Sequence, residues 1–184
     1  MERFYPSRFS ELDAPQAALY NKIVTGERSN SLHLSQVSEV GDGLPGPFGP
    51  MLLNPPVGDS LQQVGAILRY HGVLEGQFRE IVIVVAGGVF DCGYELGAHL
   101  PLLRATGLED RVIDDLLVGN YNSSSHEVAL VAKGARSVAE VGFLDDELLN
   151  GLTALLKDDG VFELIVIVGY YRILASILAT YKIE

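Results

Sequence analysis

The chain has no tryptophan, one cysteine, and only 13 lysines and arginines against 24 aspartates and glutamates. A single cysteine forms no internal disulfide. Stability must therefore come from a packed core, and a reducing, cytoplasmic setting is expected. The shortage of cations leaves a net charge of -11 and a pI of about 4.7, with no basic block anywhere. Phosphate backbones are held by clustered lysine and arginine, so no nucleic-acid partner is expected. The polar start, MERFYPSRFSELD, lacks an apolar stretch of the signal-peptide kind. Long uninterrupted apolar runs are missing as well. The nearest, 161–181, is broken by Glu163 and Arg172. An arginine in mid-span is costly in lipid, so this segment reads as a core or interface helix and no membrane partner is expected.

What is present suits one globular domain over 1–184, since 184 residues with 48% hydrophobic side chains can bury a real core. A first helix is predicted over 13–25, with Asp13 as cap, Pro15 in the first turn and Gly26 at the end. Residues 27–59 show no sustained period. The Gly/Pro-rich GDGLPGPFGPMLLNPP within them predicts an irregular arm ahead of a helical core over 60–184. Its Phe48, Met51, Leu52 and Leu53 would make an exposed apolar patch, so the arm is expected to pack over the pocket of a functional site. Ser60 and Gln63 form an S-x-x-Q capping box for a helix to Tyr70 that faces Val64, Ile67 and Leu68 inward. Three further helices are predicted at 109–118, 127–141 and 145–157, the last ended by Gly160. The run IVIVV at 81–85 poses a conflict, because β-propensity alone favours a buried strand there.

The stretch 79–106 carries the chemistry. If Asp91 caps a helix starting at Cys92, then Cys92, Glu95 and His99 stand at i, i+3 and i+7 on one face. Leu96, Leu100 and Leu103 lie beside them, so these groups sit at the margin of the buried face, where partial desolvation shifts proton affinities. Pro101 should bend the helix just beyond His99, and Gly107 suits its C-terminal end. His99 is the natural proton carrier near neutral pH. Glu95 can orient it, and Glu80 can reach the same pocket as a second carboxylate. Cys92 is placed for thiol chemistry at a helix N-terminus. Arg69 is the guanidinium suited to an anionic substrate. Two ligands are too few for a metal site, and no cofactor is called for. FELIVIVGYYRI also repeats the shape of FREIVIVVAGGV at an offset of 83, with Glu163 in the place of Glu80 but Ala175, Leu178 and Lys182 where the first copy has Cys92, Glu95 and His99.

Together, Glu80, Cys92, Glu95 and His99 in the pattern E-x11-C-x2-E-x3-H resemble the carboxymuconolactone decarboxylase and alkylhydroperoxidase D-like family. Tyr94-Glu95-Leu96 stands where that family has Y-E-W. GPFGPMLLNPP is similar to its G-P-F-g loop, which brings in Phe48 as a substrate-binding residue. The resemblance implies an all-α, alkylhydroperoxidase D-like bundle, and so a helix rather than a strand at IVIVV. It implies a homo-oligomer, commonly trimer-based, with the apolar segments 81–90 and 164–179 buried on all sides. For function it implies acid–base decarboxylation or isomerisation of a small carboxylated lactone or cyclic keto acid, with His99, Glu95 and Glu80 as the working groups. The chain departs from the family at three points. Glu95 replaces the second cysteine, so no disulfide can cycle; Leu96 replaces the usual Trp; Gly87 stands where an Arg is frequent. A one-cysteine peroxidase at Cys92, or a non-catalytic oligomer, are the alternative expectations.

Overall fold

The computed structural model describes residues 8–27 and 43–183, and among them every regular element is helical. A 3-10 turn, Phe9–Glu11, precedes α1 (Ala14–Thr25), α2 (Phe48–Met51), α3 (Pro55–Tyr70), α4 (Gly76–Val89), α5 (Gly93–Ala105), α6 (Asp110–Leu117), α7 (His126–Glu140) and α8 (Asp146–Tyr181). The all-α class is thus as the resemblance implied. Two compact units emerge, one formed by the residues up to His71 with those from Ser176 onward, the other by Gly72–Ala175.

In the first unit, α1 begins as predicted. Asp13 accepts the Gln16 N–H, and the Gln16 side chain returns a bond to the Asp13 backbone. The part of the predicted arm at 28–42 lies outside the described residues. Beyond it the arm is more regular than expected, because Phe48–Met51 form a helical turn with all four residues buried. Phe48, Met51 and Leu52 are covered and only Leu53 stays exposed.

α3 starts five residues earlier than the Ser60 capping box predicts. Asn54 is its cap, accepting the Val57 N–H, and prolines 55 and 56 occupy the first turn. Ser60 is interior, and its hydroxyl bonds back to the Pro56 carbonyl. The buried face is also different. Gly58, Gln62, Gly65 and Leu68 point inward, while Val64 and Ile67 are exposed. The reason is close backbone approach. A Cβ on Gly58 would run into the Met51 carbonyl, so α2 lies directly on a glycine of α3.

The second unit is built around α4, which packs against α5, α6 and α7. Every residue from Glu80 to Gly87 is buried. Burial on all sides explains why a run of β-branched residues is helical here: packing overrides a propensity difference of a fraction of a kcal/mol per residue. Val112, Ile113 and Leu116 of α6, and Val128, Val131 and Ala135 of α7, supply the surrounding core.

α4 and α5 are joined by a tight turn that replaces the predicted Asp91 cap. The Cys92 N–H reaches the Gly87 carbonyl (2.9 Å) and the Asp91 N–H reaches that of Gly88 (3.2 Å). This is the Schellman pattern, and it puts Asp91 in the left-handed region (φ 50°) that favours glycine. Cys92, not Asp91, is then the N-cap of α5. We expect Asp91→Gly to raise stability by roughly 0.5–1 kcal/mol, read as a higher Tm in thermal melts. α5 carries Pro101 without ending and closes as predicted, with Gly107 at φ 87°.

α8 is interrupted at Lys157 (φ 62°, ψ 177°), three residues before the predicted stop at Gly160. Non-glycine residues held there store about 1–3 kcal/mol of strain. Gly160 instead lies inside the second segment, where an added Cβ would sit 2.8 Å from Leu156 Cβ and 3.3 Å from Leu74 Cδ2. Among the described helices, α8 is the one long and apolar enough to cross a membrane by length and composition. Its most apolar window is 56% buried inside the protein, and core helices pass the same test. The segment after the break is not covered on all sides, because Phe162, Ile165 and Ile173 remain exposed.

Candidate functional site

The second unit brings Glu80, Glu95 and His99 together. Glu80 projects from the second turn of α4, while Glu95 and His99 stand one turn apart on α5. All three side chains are buried, each 4% exposed. Glu80 Oε2 lies 2.7 Å from His99 Nδ1. A carboxylate can only accept, so Nδ1 carries a proton and donates it. The other oxygen, Oε1, lies 3.5 Å from Arg79 Nε. Glu80 is therefore set between a guanidinium and an imidazole.

The far side of the ring is as well furnished. Tyr171 Oη lies 3.0 Å from His99 Nε2, and Glu95 Oε2 lies 3.7 Å from the same nitrogen. The two rings meet edge to face, 5.3 Å apart at 87°. Tyr170 packs against Tyr171 in the same manner, at 5.4 Å and 80°. A neutral His99 accepts the Tyr171 O–H at Nε2. A protonated one donates there instead and is flanked by two carboxylates. Both states are fully hydrogen-bonded, which is what a group that gains and loses a proton in a buried place requires.

Tyr171 was not among the residues singled out by sequence. The available signal was chemical: two tyrosines, at 170 and 171, in an otherwise apolar helix carry hydroxyls that need partners once buried. The repeat at offset 83 pointed elsewhere, to Glu163. That residue is buried, but it accepts the backbone N–H groups of Val73 (2.5 Å) and Leu74 (3.3 Å). It ties the chain entering α4 to α8.

Cys92 is 6% exposed at the α4–α5 turn. Burial pushes its thiol up from the ordinary range, and the charges of Glu95 and Asp91 push the same way. N–H groups of Glu95 and Tyr94 oppose them without prevailing. A raised value means less thiolate, the reverse of an activated nucleophile. The neighbouring Tyr94 phenol is likewise raised, by burial first and then by the Glu95 charge.

The two departures at Gly87 and Leu96 meet each other. A Cβ on Gly87 would lie 3.4 Å from Leu96 Cδ2 and 3.8 Å from Glu95 Cβ. A methyl group at Gly87 would make ordinary van der Waals contact there, so the two departures pack side by side next to Glu95. Arg69 on α3 and Phe48 in α2 belong to the other compact unit. Arg69 lies 5.8 Å over the ring of Tyr70, and Phe48 is buried.

Among the described residues, no group of three or more His, Cys, Asp and Glu side chains is arranged to hold a metal ion. A separate cleft of about 510 Å3 opens between α7 and the start of α8, lined by Tyr121, His126, Lys133, Asp145, Glu147 and Leu148 among others. It holds charges of both signs, and Lys133 Nζ lies 5.4 Å over the Tyr121 ring. No family model matches the chain, and no curated protein matches it.

Proposed function

We propose that the protein is a small acid–base enzyme of the carboxymuconolactone decarboxylase type, working on a carboxylated lactone or cyclic keto acid in a reducing cytosol. The observation that carries this reading is the buried His99 held by Glu80 at 2.7 Å, with a second carboxylate, Glu95, 3.7 Å from its other nitrogen. Two carboxylates around one imidazole hold a proton in reserve where water is scarce. In the reaction, the bond to the substrate carboxyl breaks, carbon dioxide leaves, and the electron pair passes into the conjugated carbonyl. The resulting dienolate then takes a proton from the His99 system, with Glu80 fixing the ring and Glu95 balancing its charge.

We put the one-cysteine peroxidase reading second, because Cys92 is buried and burial raises its thiol. Self-association belongs to the same proposal. Phe162, Ile165 and Ile173, at i, i+3 and i+11, leave one apolar face of α8 for another copy to cover. The test is turnover of 4-carboxymuconolactone by wild type, His99→Gln and Cys92→Ser. We expect His99→Gln to lose on the order of 100- to 10 000-fold in kcat, the span of general acid–base catalysis. Cys92→Ser should retain activity. Equal activity in wild type and His99→Gln would remove the assignment.

A further inference from the structure

We infer that Tyr171 is the group that hands the proton to the substrate, with His99 as the reservoir behind it. This rests on the acid–base reading and concerns the atom at which transfer takes place. Both nitrogens of His99 are already engaged, Nδ1 by Glu80 at 2.7 Å and Nε2 by Tyr171 at 3.0 Å. A substrate carbon could reach Nε2 only by displacing the phenol. Of Tyr171 and Glu95, which both face that nitrogen, Tyr171 Oη is the nearer, since Glu95 stands at 3.7 Å, outside hydrogen-bond range. Tyr171 is also the outermost of the four, 9% exposed against 4% for Glu80, Glu95 and His99. Its ring meets those of Tyr170 and His99 edge to face, which fixes the position of the hydroxyl.

The step balances. When carbon dioxide has left, the dienolate carbon forms a bond to the Tyr171 hydroxyl proton. The phenolate oxygen takes the Nε2 proton of the His99 imidazolium. Neutral His99 keeps its Nδ1 proton on Glu80, and water restores the proton consumed by the reaction. The phenol therefore never has to remain ionised, which suits a buried site.

The experiment compares wild type, Tyr171→Phe and Tyr170→Phe in two readouts. The first needs no substrate: 15N NMR of His99 as a function of pH. Removing the Tyr171 hydroxyl should move the Nε2 resonance and the His99 titration midpoint, while Tyr170→Phe should leave both in place. The second is steady-state turnover of 4-carboxymuconolactone. There Tyr171→Phe should lower kcat by on the order of 100-fold or more, with KM within about threefold of wild type. Thermal melts confirm that each variant is folded, and 3,5-difluorotyrosine at position 171, which keeps the ring and acidifies the phenol, serves if Tyr171→Phe is not. Its pH–rate profile should then move to lower pH.

Unchanged His99 resonances in Tyr171→Phe would overturn the inference whatever the activity. So would shifted resonances with wild-type kcat, which would mean that His99 delivers the proton itself. If wild type does not turn the lactone over, the functional reading falls on its own, and the NMR comparison alone decides whether Tyr171 is the outer partner of His99.

Discussion

On the proposed acid–base function, Glu80→Gln should lower turnover roughly 1000-fold while leaving the protein folded. Glutamine has the same shape, and its amide oxygen can still accept from His99 Nδ1. What it lacks is charge. In wild type a buried carboxylate lies 2.7 Å from the imidazole, and both side chains are almost wholly removed from water. An imidazolium in such a place keeps its proton only with a counter-charge, because an uncompensated buried charge costs on the order of 3–5 kcal/mol. In the Glu80→Gln variant the Glu95 carboxylate, 3.7 Å from Nε2, is left to balance the ring charge at longer range, so the imidazolium is held less well and the proton reserve proposed for the dienolate shrinks. KM should change little, since Glu80 faces the histidine, so the loss belongs in kcat. The measurement is kcat and KM on 4-carboxymuconolactone, together with a melt. Wild-type kcat in Glu80→Gln would reduce Glu80 to a carboxylate that compensates the dipole of α4.

Gly58→Ala should destabilise the fold by about 3 kcal/mol or more, an unusually large effect for one methyl group. The added carbon would overlap the Met51 carbonyl oxygen and lie 2.8 Å from Met51 C and 2.9 Å from its Cβ. These are mostly backbone atoms, and no rotamer change moves them away. α2 would have to lift from α3, exposing Phe48, Met51 and Leu52, all buried in the wild type. At about 2–4 °C per kcal/mol for a chain of this size, the expected drop in Tm is about 6–12 °C. Gly93→Ala is the internal comparison. It lies in the first turn of α5 with open space around an added Cβ, so the same change there should be neutral or stabilise by roughly 0.5–1 kcal/mol. Equal losses at both positions would show that close approach of α2 is not the cause.

Features set by near neighbours were legible in the amino-acid order alone. Asp13 and Gln16 form their reciprocal cap because both partners lie within four residues, and Gly107 ends α5 because only glycine takes φ 87° without strain. The meeting of Glu95 and His99 follows from helical spacing once a helix is granted. Glu80, Glu95 and His99 were readable as a group, since two of them share a turn and the third opens the preceding apolar segment.

The rest was decided by contacts between residues far apart in the chain. Whether IVIVV is strand or helix depends on what surrounds it, and α5, α6 and α7 cover it on several sides. The inward face of α3 differs from its pattern, which suggested Val64 and Ile67, because α2 approaches at Gly58. The stop at Gly160 moved to Lys157, a break that no local preference for lysine predicts. Asp91 gave way to Cys92 as cap because the end of α4 and the start of α5 share one turn. Tyr171 reaches His99 across 72 residues of sequence. Amino-acid order by itself determined the helix ends closed by local hydrogen bonds and the spacing of the acid–base groups, because both depend on geometry within a few residues. Only the tertiary structure decided which faces are buried and which hydroxyl meets the imidazole, because burial and hydrogen-bond pairing are properties of the atoms that surround a residue in space.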